Sequence, residues 1–90
     1  MINRISVIEH PGGGITRYYD ATPEFDVKNP KSRTFTLIST VRDEDICRVT
    51  PEQWKRVTVF DYNMQILFSI TKGSDPIKAV WLPEANERIH

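Results

Sequence analysis

Residues Thr50 to Phe60, "TPEQWKRVTVF", decide whether the chain mixes helix with sheet or is built from strands alone. The first half starts a helix. Thr50 offers an N-cap hydroxyl, Pro51 has the fixed φ of a first helical residue, and Gln53 stands where a capping-box partner reaches back. The second half points the other way, because Val57-Thr58-Val59 is β-branched and loses side-chain freedom in a helix. Trp54, Val57 and Phe60 nonetheless recur every third residue, as on a helix face. Together these signals predict a short helix of about two turns from Pro51, with extended chain after Val57.

On the N-terminal side, Arg33 to Val41, "RTFTLISTV", is the clearest strand. Alternation places Phe35, Leu37 and Val41 on one face, and Thr34, Thr36, Thr40 and Ile38 on the other. Asp43-Glu44-Asp45 then closes the strand in a charged, solvated turn. On the C-terminal side, Gln65 to Lys72, "QILFSITK", reads as a strand with Ile66, Phe68 and Ile70 inward. Gly73-Ser74-Asp75-Pro76 makes a turn, and Ile77 to Leu82, "IKAVWL", returns as its hairpin partner with Ile77, Ala79 and Trp81 on one side. Pro83 ends that strand, and 83–90 is a polar tail.

The first forty residues supply another hairpin. Ile2 to Glu9 is extended, Pro11 to Gly14 breaks it, and Ile15 to Tyr19 resumes. Asp20 to Ser32 carries Pro23 and Pro30 among scattered charges and reads as a long irregular connection. The expected fold class is therefore α+β: a small single domain over 1–90, a mainly antiparallel β-sheet of five or six strands, and one short α-helix.

Composition narrows the chemistry. The chain has 90 residues, 39% hydrophobic and 27% charged, which is globular in character, with a core thin for its length. Twelve basic side chains balance twelve acidic ones, so nothing favours general attraction to polyanions, and association with another protein or a second copy meets little repulsion. The one cysteine, Cys47, forms no internal disulfide, so a reducing cytoplasm suits the chain. No stretch of about 18 apolar residues spans a membrane, and Met1 to Ile5 carries no signal-peptide core.

The glycine run of "HPGGGITRYYD", His10 to Asp20, does not open a phosphate site. A phosphate loop leads into a helix and supplies a lysine, whereas Ile15 to Tyr19 is extended and has none. A dinucleotide fingerprint counted from Gly12 needs glycine at position 17, where Arg17 stands. What remains is a hairpin tip that tolerates positive φ. A small hydrolase would draw on His10 and Cys47, and no spacing links them. No metal-ligand set is spaced for zinc or calcium, and no cofactor is implied.

Two surfaces have the residue types of a partner site. Arg17, Tyr18 and Tyr19, with Gly13 at the tip, combine arginine and tyrosine as protein-interface hot spots do. Adjacent strand residues face opposite ways, so at most one of the two tyrosines meets a given partner. Lys28, Lys31 and Arg33 form a local basic cluster which, with Arg17 and its tyrosines, could serve single-stranded nucleic acid. Solvation of strand edges explains the same charges, including Arg48, Lys55 and Arg56. Trp54, Phe60, Phe68 and Trp81 lie on periodic apolar faces and belong to the core. A chain this small leaves no room for a cavity of about 300 Å3. The expectation is a non-enzymatic protein-binding module acting as a regulator, inhibitor or accessory subunit, with a sheet edge also open to homodimer formation. A nucleic-acid-binding β-module is the alternative.

Overall fold

A computed structural model of the chain describes residues 4–26 and 28–73. The expected strand Ile77 to Leu82, Trp81 and the tail 83–90 lie outside the described residues. Seven strands follow one another: β1 (Ile5–Glu9), β2 (Ile15–Tyr19), β3 (Ala21–Phe25), β4 (Phe35–Ser39), β5 (Asp45–Val49), β6 (Arg56–Phe60) and β7 (Ile66–Thr71). They form a four-stranded sheet in the order β2-β1-β6-β7 and a three-stranded sheet in the order β3-β4-β5. Every pairing is antiparallel.

The two sheets close over one core. Ile8, Val57, Val59, Phe68 and Ile70 come from the first sheet, and Ala21, Phe35, Leu37 and Val49 from the second. Trp54, on the connection between β5 and β6, fills the space between them and is fully buried. Its ring meets Phe35 edge-on at 5.3 Å and Phe25 at 5.8 Å, and its indole N–H donates to the Arg33 carbonyl at 2.8 Å. Burying the ring and satisfying its one donor together make it a central anchor.

One residue carries the chain from sheet to sheet. Tyr19 ends β2 and Ala21 begins β3, while Asp20 between them has φ 55°. Its N–H donates to the Arg4 carbonyl at 2.7 Å, and its own carbonyl accepts from Thr40 N–H at 2.9 Å. Buried Ser6 adds a bond of 2.7 Å to the Ala21 carbonyl. Aspartate is among the few residues besides glycine that visit left-handed backbone, which suits it to this corner.

The expected helix at Pro51 is corrected to one 3-10 turn, Pro51–Gln53, and the described residues contain no α-helix. The capping box itself is present: Thr50 N–H donates to the Gln53 side-chain oxygen at 2.9 Å. Propagation fails because side chains from elsewhere take the carbonyls a helix would use. Lys72 Nζ donates to the Pro51 carbonyl at 2.8 Å, and His10 Nδ1 to the Gln53 carbonyl at 2.7 Å. Trp54 is already extended, with φ −141° and ψ 152°, and the β-branched run becomes the inner strand β6. Among the described residues there are seven strands, because two segments, one read as an irregular connection and one left unassigned after a charged turn, are β3 and β5.

Pro23 lies within β3, opposite Leu37. β3 is an edge strand, where a residue without an N–H is tolerated. Two bulges break the simple alternation. Between Val59↔Phe68 and Phe60↔Ile66, Leu67 is the extra residue, so Leu67, Phe68 and Ile70 are buried while Ile66 turns outward, against the expected Ile66-Phe68-Ile70 face. Between Leu37↔Cys47 and Ile38↔Asp45, Ile46 is extra and exposed. Val41, expected on the buried face with Phe35 and Leu37, lies beyond β4 in the turn and is exposed.

Candidate functional site

The glycine tip is a tight loop closing β1 on β2. His10 N–H donates to the Gly14 carbonyl at 2.8 Å, Gly13 N–H donates to the His10 carbonyl at 3.0 Å, and Gly13 takes φ 104°. A Cβ at Gly12 or Gly13 would meet nothing within 4 Å, so the tip stands in open space. The loop delivers β2, which has one neighbour, β1, and lies at the edge of its sheet. Among the described residues no strand pairs with its outer side.

Alternation along β2 separates the expected contact residues. Ile15, Arg17 and Tyr19 are exposed on the outer face, with Tyr19 62% and Ile15 50% accessible. Tyr18 points the opposite way and packs against the core. The Cys47 thiol lies 3.9 Å from its hydroxyl oxygen, and burial with that neighbour pushes the Tyr18 phenol above its ordinary value. Arg17 and Tyr19 therefore share one surface, and Tyr18 lies on the other face of the strand. In register across the sheet, Tyr19 faces Ile5, Ile5 faces Phe60, and Phe60 faces Ile66; Ile5 is buried, so the exposed surface is confined to β2 on this side.

Two open clefts flank the edge strands β2 and β5, larger than the sequence led us to expect, because they form where the two sheets meet. The first, of about 430 Å3, is lined by Ile8, His10, Tyr18, Cys47 and Arg48 among others. It brings His10 and Cys47 to one place but does not join them as acid and nucleophile. A carbonyl only accepts, so His10 Nδ1 carries the proton it gives to Gln53, and Nε2 pairs with the Thr16 hydroxyl at 2.7 Å. Nδ1 thus ties the hairpin tip to the β5–β6 connection, and Nε2 ties it to β2 of the same hairpin. The second cleft, of about 570 Å3, lies at the Asp20 corner and is lined by Tyr19, Asp20, Val41, Arg42, Asp45 and Ile46 among others. Tyr62 donates its hydroxyl to the Asp20 carboxylate at 2.7 Å, which holds the Tyr62 phenol above its ordinary value.

The members of the basic cluster differ in exposure. Lys28 and Lys31 are exposed, but Arg33 is half-buried: its Nε donates to the Lys72 carbonyl at 3.0 Å and its carbonyl accepts from Trp54. The sequence places Val41 on a strand face and Glu44 and Asp45 in a solvated turn, and gives Ile46 no role, so their convergence at the second cleft is new. The signal available there was apolar residues on both sides of an acidic run.

Among the described residues no three histidine, cysteine, aspartate or glutamate side chains converge as a metal site, and no helix is long and apolar enough to cross a membrane. The chain matches no protein-family model, and no curated protein or solved structure is significantly similar to it.

Proposed function

We propose that the protein is a non-enzymatic binding module, a regulator, inhibitor or accessory subunit of a reducing cytoplasm, that occupies the surface of a protein partner through β2. The observation that carries this reading is the outer face of that edge strand. Ile15, Arg17 and Tyr19 stand exposed together on a strand of high β propensity, and neither bulge, proline nor lysine blunts its edge. A partner strand added there gains main-chain hydrogen bonds, and Tyr19 and Arg17 supply the side-chain anchors. Gly13 places an unencumbered backbone at the hairpin tip, beyond the Ile15 end of the strand. The nucleic-acid alternative loses support because Arg33 is engaged within the fold.

Capture from native extract with immobilised protein, with and without nuclease, tests the reading. A protein band is expected to survive nuclease and to fall about ten-fold with Arg17→Ala combined with Tyr19→Ala, while the thermal midpoint moves by no more than about 4 °C. Loss of the band on nuclease treatment favours the nucleic-acid module. A captured band that is the chain itself identifies a homodimer through the sheet edge.

A further inference from the structure

We infer that the cleft at the Asp20 corner receives an extended peptide segment of a protein partner in which large apolar side chains alternate with lysine or arginine. This deepens the reading above and rests on it, since Tyr19 belongs both to β2 and to the cleft. The cleft is an apolar surface with an acidic rim. Tyr19, Val41 and Ile46 are 62%, 55% and 43% exposed, a concentration of large side chains that isolated solvation does not explain. Asp20, Glu44 and Asp45 set three carboxylates around it against one guanidinium, Arg42, which already lies 3.5 Å from Glu44. In a chain of zero net charge this is a local excess of two negative charges, complementary to a basic segment.

The surface is held in shape before a partner arrives. Ser39 Oγ accepts from the N–H groups of Val41 and Arg42 at 3.2 and 3.0 Å, and Asp43 N–H donates to the Ser39 carbonyl at 3.0 Å. The bulge turns Ile46 outward. Little ordering is then lost on binding. An extended occupant is favoured because β2 and β5, which contribute Tyr19, Asp45 and Ile46 to the lining, are sheet edges. A second copy is disfavoured, because two-fold pairing of this face sets its carboxylates against themselves.

The test is an immobilised library of hexapeptides whose apolar residues alternate with basic, acidic or uncharged polar ones, followed by solution titration of the retained sequences. Selective retention of the basic class is expected, with affinity falling steeply as salt rises. Asp45→Lys should weaken binding about ten-fold and Ile46→Ser about five-fold. Asp45→Lys should also bind the acidic counterpart better than the wild-type protein does, a gain that misfolding cannot produce. Retention of acidic or uncharged peptides equally well, retention of no class, or wild-type affinity in both variants overturns the inference. Arg17 does not line the cleft, so the two failures separate. A natural partner lost with Arg17→Ala but kept with Asp45→Lys and Ile46→Ser overturns the cleft and leaves β2 as the site. The reverse pattern supports the cleft and removes the β2 reading.

Discussion

Trp54, buried, and Tyr18, half-buried, each join an aromatic body packed in the core to a polar end that has found a partner. For Trp54 the partner is the Arg33 carbonyl, itself in a residue with φ 55°, so the indole N–H also holds an irregular backbone in place. Trp54→Phe keeps most of the apolar volume but removes that hydrogen bond, and should lower unfolding free energy by about 1–3 kcal/mol in a urea titration. Tyr18 predicts an alkaline limit. Its folded phenol titrates above the ordinary value of 10.0, as does Tyr62, so the folded state keeps protons that the unfolded chain releases. Stability is constant below pH about 10 for these groups and falls as pH rises beyond it. Thermal midpoints at rising alkaline pH should therefore decline, and Tyr18→Phe should decline less than the wild type. The alternation that parts Tyr18 from Tyr19 was legible from adjacency alone. The contact of Tyr18 with Cys47 was not, since it joins strands of different sheets.

Among the elements, the β1–β2 hairpin separates two glycines that look equivalent. Gly13 adopts φ 104°, whereas Gly12 and the space around it accept a Cβ. Gly13→Ala should cost about 1–2 kcal/mol, and Gly12→Ala should leave stability unchanged or slightly raised, by thermal or urea midpoint. Both hairpin arms were readable because β-branched and aromatic residues flanked a glycine break. The Pro51 turn shows the opposite case. Its capping signal was real, yet the element it starts is three residues long, because His10 and Lys72 claim the carbonyls needed for another turn. β3 was hidden by Pro23, which reads as a breaker until one knows that the strand lies at an edge. The bulges at Leu67 and Ile46 have no local signature either.

Across the whole molecule, the Asp20 corner couples the sheets, and the clefts and the β2 edge depend on it. Asp20→Val places a β-branched residue at φ 55° and removes the acceptor of the Tyr62 hydroxyl. It should destabilise the fold by about 1–3 kcal/mol, with far-ultraviolet and near-ultraviolet signals lost in one transition because one core serves both sheets. The amino-acid sequence by itself determined the extended character of β1, β2, β4, β7 and the end of β6, the hairpin at the glycines, the opposition of Tyr18 to Tyr19, and the absence of a phosphate-loop pattern. These follow from side-chain shape, alternation and turn chemistry, which act between near neighbours. Tertiary structure alone decided that the capped turn stops at Gln53, that the chain changes sheets at Asp20, that Arg33 is held within the fold, and that Tyr19, Val41 and Ile46 share a cleft. Each of those outcomes depends on groups distant in the chain competing for the same hydrogen bonds or the same space, and no local pattern records who wins.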